Sequence, residues 1–180
     1  MPAPPPAYHW LATLQPLPRM VREGIALIGT AETAGAGNSP AILSWAAELG
    51  GDVARAYRAD STAWCGLFMA LVAQRAGKDV PPAPLWALSW AKFGSEVARP
   101  MLGDVLVFQR TGGGHVGLYV GEDEAAFHVL GGNQGDRVCI ARIAAISSGS
   151  SAWGWSRSAG CACGRGSSGA PRTTSSPTSG

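Results

Sequence analysis

Residues 60–77, D-S-T-A-W-C-G-L-F-M-A-L-V-A-Q-R-A-G, constrain the fold of this chain more than any other stretch. The first three carry short side-chain oxygens, which cap helix N-termini by accepting free backbone amide hydrogens. Residues 63–73 are almost wholly apolar, and a glycine such as Gly77 commonly ends a helix. Because a helix that is apolar on every face has to be buried, we predict the central helix of a small domain here.

Cys65 falls in the first turn of this predicted helix. The positive end of a helix dipole lowers the pKa of a thiol and favours the nucleophilic thiolate, so the position suits a catalytic cysteine. The alternative is that Cys65 is one more small residue of the core, as buried cysteines commonly are. Taken alone, the stretch favours this second interpretation.

The composition of the chain argues against several classes of function. Its 180 residues suit one domain, only 14% of them are charged, and the net charge is +2. No basic block is interleaved with aromatic residues, so we expect no nucleic-acid partner. Neither a phosphate-binding loop nor a dinucleotide-binding motif is present, so we expect no cofactor. Four cysteines are too few and too unevenly placed for a disulfide framework.

The N-terminal sequence M-P-A-P-P-P-A-Y-H-W has neither a basic start nor a continuous apolar segment, so it does not resemble a signal peptide. No apolar run approaches the length of a membrane span, and we expect no membrane insertion. We therefore predict synthesis in the cytoplasm, with another route out for any work on the far side of the membrane.

Changes of composition divide the chain into three parts. Residues 1–17 form a proline-rich lead, whose start we predict to be extended and mobile. Residues 18–143 form the candidate domain. Residues 144–180 are rich in serine and glycine and contain no acidic residue, so we predict a disordered tail.

Helical periodicity comes first along the domain and strand alternation second. We predict helices at 18–29 and 40–50, then the central helix, then a short helix at 85–93. Four strands follow with short connections, so antiparallel neighbours are the simplest arrangement. The predicted strands are 105–109, 115–120, 126–130 and 138–143. Helices followed by a meander indicate an α+β domain.

His115 opens the second predicted strand. With alternating side chains, His115, Gly117 and Tyr119 share one face, while the apolar residues between them point to the other. Gly117 would leave a space beside the histidine where a substrate backbone could lie. A lone histidine at a strand start is more often a surface residue, but here a candidate nucleophile, Cys65, precedes it in the same domain.

A catalytic thiol needs an imidazole to take its proton and a third polar group to orient the ring. Two residues that follow His115 are candidates for the third role, Asn133 in G-G-N-Q and His128 in the third strand. Asn133 has an alternative explanation as a turn residue in the left-handed conformation. His128 has one as a partly buried histidine bonded to the backbone. Spacing alone leaves both open.

Four segments, D-x-x-x-W-C-G-x-F, G-D-V-L-V-F, G-H-V-G-L-Y-V-G and H-V-L-G-G-N-Q, occur in this order. Together they resemble the CHAP and NlpC type papain-like peptidoglycan hydrolases, especially a compact branch found in phage and prophage lysis and tail proteins. The resemblance covers residues 18–143. It implies a papain-like α+β fold, in which N-terminal helices, including the one that bears the nucleophile, pack on a small antiparallel meander.

The resemblance also implies roles for individual residues. Cys65 would be the nucleophile, with its backbone amide as an oxyanion donor, and His115 the general base and later the acid. Asn133 would orient His115, with His128 as the alternative third residue. We expect Asp60, Trp64 and Gly117 to contact the substrate. Many members carry an acidic calcium loop before the cysteine, which is not found here, so we expect no metal.

The function implied is a phage-type lysin, a monomer that cleaves an amide bond of bacterial peptidoglycan. It would be a peptidoglycan endopeptidase or an N-acetylmuramoyl-L-alanine amidase, released through a holin-type pore or carried in a particle. One alternative is a cysteine amidase or transferase toxin that acts on an amide outside the wall. Another is a non-catalytic virion or wall-binding protein that has no need of the three catalytic residues.

Overall fold

The computed structural model describes residues 3–110 and 112–144. The predicted tail lies outside the described residues from residue 145 onward. The α-helices are α1 (Arg19–Ile25), α2 (Pro40–Leu49), α3 (Gly51–Ala56) and α4 (Cys65–Arg75), and 3₁₀ helices occur at Pro6–Ala12 and Ala87–Lys92. The strands are β1 (Val105–Arg110), β2 (Gly113–Glu122), β3 (Ala126–Gly131) and β4 (Cys139–Ala144).

The strands form one antiparallel sheet in the order β1-β2-β3-β4. Short connections between strands of alternating pattern make each strand pair with the next one along the chain. In the register, Phe108 lies opposite His115, and Leu118 lies opposite Leu130. The predicted α+β class and the antiparallel meander are confirmed.

The α4 helix is the buried centre of the fold. Its residues from Cys65 to Ala73 are all buried, and it packs against α1, α2, β2 and β3. This enclosure agrees with the apolar pattern on every face of the helix. Among the helices in the described part of the chain, none is both long and apolar enough to cross a membrane.

Several helix boundaries differ from the sequence prediction. The first helix, predicted at 18–29, ends at Ile25, and the helix predicted at 85–93 is a 3₁₀ helix at Ala87–Lys92. The α4 helix begins at Cys65, after Trp64, without a side-chain cap, so the predicted capping by residues 60–62 is wrong. The reason is that the Asp60 carboxylate bonds to amides of a different loop. Gly50 ends α2 as predicted, but its left-handed backbone lets the chain start α3 at once. No side-chain pattern indicated that restart.

The sheet has two different faces. Val116, Leu118 and Val120 of β2 belong to the main core beneath the helices. Tyr119 points to the opposite face, where it joins a smaller cluster that includes Phe108. This agrees with the predicted alternation along β2, because successive side chains of a strand point to opposite faces. The small cluster consists of Leu106, Phe108, Tyr119, Val129 and Ile143, with Phe127 packed against it.

The N-terminal lead belongs to the folded unit, contrary to the boundary predicted at residue 17. Tyr8 and Leu11 of the first 3₁₀ helix are buried in the main core. The Tyr8 hydroxyl lies 3.1 Å from Nδ1 of the buried His128, whose Nε2 lies 2.8 Å from an Asp123 carboxylate oxygen. Arg142 holds the same carboxylate through two hydrogen bonds, and they lower the pKa of Asp123.

We predict that Tyr8→Ala lowers the free energy of unfolding by about 3–4 kcal/mol, because a buried aromatic ring leaves a cavity. Tyr8→Phe should cost about 1 kcal/mol, the net worth of one hydrogen bond. Urea unfolding followed by circular dichroism measures both. His9→Ala, next in sequence and exposed, is the matched control and should leave the midpoint unchanged. Equal midpoints for Tyr8→Ala and wild type would show that the lead does not stabilise the domain.

Candidate functional site

Cys65 occupies the first position of α4 and is only 5% exposed. Trp64, directly before it, is fully buried, and its indole Nε1 donates a 2.7 Å hydrogen bond to Oε1 of Glu32. This bond ties the entry to α4 to the loop between α1 and α2. The thiol-bearing turn is therefore held at the helix N-terminus, where backbone amides point outward without helical partners.

Asp60 is the second polar anchor of this entry segment. Its Oδ2 accepts hydrogen bonds from the backbone amides of Thr33 (3.0 Å) and Ser39 (2.7 Å), and its own amide donates to Oδ1 of Asn38 (3.0 Å). The bonds from Thr33 and Ser39 lower the pKa of Asp60, because they favour the ionised form. Asp60 therefore joins the 33–39 loop to the segment before Cys65.

The predicted substrate contacts of Asp60, Trp64 and Gly117 do not agree with this geometry. The Asp60 and Trp64 side chains are buried and bonded within the protein. At Gly117, a Cβ would lie 2.5 Å from Cγ1 of Val129 and 3.0 Å from the carbonyl of Leu130. The space that the sequence suggested for a substrate is thus filled by β3, which is why the position needs glycine.

His115 is buried on β2. Its ring stacks on Phe108, its cross-strand neighbour, with ring centroids 6.2 Å apart. Its Nε2 lies 3.0 Å from Oε1 of Gln134. The imidazole is therefore oriented by an aromatic ring on one side and by a carboxamide at one nitrogen.

Gln134 is held so that only its oxygen faces the histidine. Its Nε2 donates to the backbone carbonyls of Val129 (3.2 Å), Gly131 (3.2 Å) and Cys139 (2.7 Å). A carboxamide nitrogen donates and its oxygen accepts, so this pattern assigns the amide orientation. Because Oε1 accepts only, Nε2 of His115 must carry the hydrogen, and Nδ1 is the basic nitrogen of the neutral ring.

The structure brings Gln134 to His115 rather than either residue predicted for the third role. Asn133 adopts the left-handed conformation (φ 55°), and its side chain makes no hydrogen bond with any described residue. His128 is engaged with Tyr8 and Asp123 instead. The left-handed backbone of Asn133 is the one expected from its alternative explanation as a turn residue. The G-G-N-Q segment offers two adjacent carboxamides, and sequence spacing does not distinguish them.

A close backbone contact links the turn after β3 to the first turn of α4. A Cβ at Gly132 would lie 2.6 Å from the Cβ of Phe68 and 2.7 Å from the Trp64 ring. These two residues flank Cys65 on α4, and Gln134 follows Gly132 by two positions. The segment 132–134 thus touches the thiol-bearing turn at one end and the imidazole at the other.

No protein-family model, curated protein or solved structure matches this chain. Within residues 3–110 and 112–144, no three His, Cys, Asp or Glu side chains are grouped so that they could hold a metal ion. What bears on function is therefore the position of Cys65 at the start of α4, the contact of His115 with Gln134, and the four sequence motifs.

We predict that Asp60→Asn destabilises the protein at pH 7 and that the difference from wild type shrinks as the pH falls below about 4. A lowered folded-state pKa stabilises the fold above the unfolded-state pKa, and this contribution is lost as the pH falls through the folded-state pKa. Asparagine keeps an acceptor for the two amides but loses the charge. Urea midpoints between pH 3 and pH 7 test this, with the exposed Asp79→Asn as control. A difference that stays constant with pH would contradict it.

We predict that His115 in its neutral state is the Nε2–H tautomer, because Gln134 Oε1 can only accept a hydrogen bond. Long-range ¹H–¹⁵N spectra of the imidazoles measure this, with His115→Asn used to assign the signals. Gln134→Ala should produce a mixture of tautomers, whereas Asn133→Ala should leave the spectrum unchanged. If Asn133→Ala changed the tautomer and Gln134→Ala did not, Asn133 would be the orienting residue.

Proposed function

We propose that this chain is a papain-like cysteine hydrolase that cleaves an amide bond in the peptide part of bacterial peptidoglycan, with Cys65, His115 and Gln134 as its catalytic group. The observation that carries the proposal is the hydrogen bond between His115 Nε2 and Gln134 Oε1. It makes Nδ1 the proton-accepting atom of a buried imidazole, which is what a thiol nucleophile requires.

The chemistry begins with transfer of the Cys65 proton to Nδ1 of His115. The thiolate attacks the substrate carbonyl carbon, and the oxyanion that forms is stabilised by backbone amides at the α4 N-terminus. The imidazolium then gives its proton to the leaving amine as the C–N bond breaks, which leaves a thioester on Cys65. His115 next takes a proton from water, the hydroxide attacks the thioester, and the acid product leaves as the thiol is restored.

Gln134 supports these steps without adding a charge to the site. Its carbonyl dipole favours the imidazolium that forms after proton transfer, and its three bonds to backbone carbonyls prevent the amide from turning over. A carboxamide oxygen cannot take the imidazole proton, so the proton remains available for the leaving group. We assign Gln134 the role that the sequence had suggested for Asn133.

The choice of peptidoglycan as substrate is supported by the order of the four motifs and by where they lie in the fold. D-x-x-x-W-C-G-x-F leads into α4, G-D-V-L-V-F leads into β1, G-H-V-G-L-Y-V-G lies within β2, and H-V-L-G-G-N-Q runs from β3 into the Gln134 turn. This arrangement is the one expected for a phage-type lysin, either an endopeptidase or an N-acetylmuramoyl-L-alanine amidase. Release through a holin-type pore or in a particle would bring it to the wall.

We predict that wild-type protein releases soluble fragments from purified peptidoglycan and that Cys65→Ala releases none above background. The reason is that no other group in the proposed mechanism can form the thioester. Mass spectrometry of the fragments is the measurement, and their masses tell whether the lactyl-peptide bond or a bond within the peptide was cut. Thermal unfolding of both proteins checks that the substitution leaves the fold intact.

Two further variants make the same experiment specific. Gln134→Ala should slow release by about 10–100-fold, less than the roughly 10²–10⁴-fold that a proton-transferring group contributes, because Gln134 orients His115 and moves no proton itself. Asn133→Ala should retain the wild-type rate. If a folded wild-type protein released nothing, a toxin acting on a different amide or a non-catalytic wall-binding protein would replace the proposal. If Cys65→Ala released as much as wild type, the thiol mechanism would be wrong.

A further inference from the structure

Trp86 is the most exposed large apolar side chain in the described part of the chain, with 63% of its surface in contact with solvent. A tryptophan in a soluble domain normally buries most of its ring, and this chain buries Trp45, Trp64 and Trp90. Exposed aromatic residues on ordered loops are common at ligand sites. Trp86 therefore needs an explanation that packing within the domain does not supply.

Hydrogen bonds within the loop hold the backbone that carries Trp86. The Ser89 hydroxyl shares its one hydrogen between the carbonyls of Ala83 (3.0 Å) and Trp86 (2.8 Å). The Trp86 amide donates to the carbonyl of Ala83 (3.0 Å), and the Ser89 amide to that of Trp86 (3.1 Å). The indole of Trp90 donates to the carbonyl of Pro84 (2.9 Å). The ring of Trp86 is thus presented on a fixed backbone, which lowers the entropic cost of binding a ligand.

The same loop lies directly on the thiol-bearing turn of α4. A Cβ at Gly66 would lie 2.4 Å from the carbonyl oxygen of Pro84 and 2.6 Å from that of Leu85. Only glycine allows this approach, and Gly66 is the residue after Cys65. Trp86 directly follows Leu85, whose backbone contacts the turn of α4 that carries Cys65. The exposed ring of Trp86 is therefore one residue along the chain from this contact.

The chemistry around Trp86 favours an uncharged ligand surface. Residues 80–91, V-P-P-A-P-L-W-A-L-S-W-A, contain no charged side chain. Free carboxylates and ammonium groups of a wall peptide would call for charged partners, which this loop does not offer. The apolar face of a pyranose ring, with its C–H bonds directed at an aromatic face, requires only a flat and rigid aromatic surface.

We propose that Trp86 is a substrate-binding residue that stacks against a sugar ring of the glycan strand and so positions the attached peptide at Cys65. This deepens the proposed function and rests on it. The stack supplies binding energy away from the bond that is cut, in a part of the substrate that every wall peptide attached to glycan shares. The selectivity would then be for glycan-linked peptides over free peptides of the same sequence.

The test measures binding without cleavage. In a Cys65→Ala background, isothermal titration with tetra-N-acetylchitotetraose probes the sugar contact, and titration with a glycan-free stem tetrapeptide probes the peptide contact. We expect Trp86→Ala to weaken tetrasaccharide binding about tenfold, as removal of an aromatic binding residue does, and to leave tetrapeptide binding unchanged. Trp86→Tyr should recover part of the loss, and Val97→Ala, which removes another exposed apolar side chain, should change neither.

Two results would overturn the sugar contact. One is that the Cys65→Ala protein does not bind the tetrasaccharide, or binds it no more tightly than the same protein with Trp86→Ala added. The other is a loss confined to the tetrapeptide, which would place Trp86 in a peptide subsite. Because no bond is cut in this assay, its failure is distinct from failure of the hydrolase proposal, which depends on fragment release by wild type.

Discussion

Burial of α4 on every side is the constraint on which the rest of the structure depends. A helix with no polar face must be enclosed, so α1, α2 and the sheet pack around it. The enclosure requires two close approaches. The backbone carbonyls of Pro84 and Leu85 lie against Gly66, and the side chains of Trp64 and Phe68 lie against Gly132. Both approaches meet the turn that carries Cys65, so the packing that buries the helix also fixes the position of that turn.

Buried polar groups then determine which side chains face one another. Asp60 is used to satisfy amides of the 33–39 loop, and Gln134 to satisfy carbonyls at the end of the sheet. Buried polar groups without partners are costly, so these two residues have little freedom to adopt other contacts. The Asp60 carboxylate thereby bonds to the 33–39 loop, while Gln134 keeps its one remaining polar atom, Oε1, directed at His115.

The fold could be predicted from the sequence more completely than the candidate site could. Four segments of alternating polarity with short connections predicted the meander, and an apolar run predicted the central helix. Both predictions succeed because the repeat of side-chain directions in a strand or a helix depends on local geometry. The position of Cys65 at a helix start and of His115 on β2 followed in the same way. The third residue did not, because the choice between Asn133 and Gln134 depends on a left-handed backbone at Asn133 that a G-G-N-Q pattern permits but does not require.

The sequence by itself determined the α+β class, the strand order and the buried α4, since side-chain periodicity states which faces must be covered. It also placed Cys65, the candidate nucleophile, at the start of a helix and His115, the candidate base, on the second strand. Only the tertiary structure decided that the lead packs through Tyr8, that β3 fills the space at Gly117, and that Gln134 is the partner of His115. These are contacts between residues distant along the chain or across strands, and local periodicity carries no information on which distant groups meet.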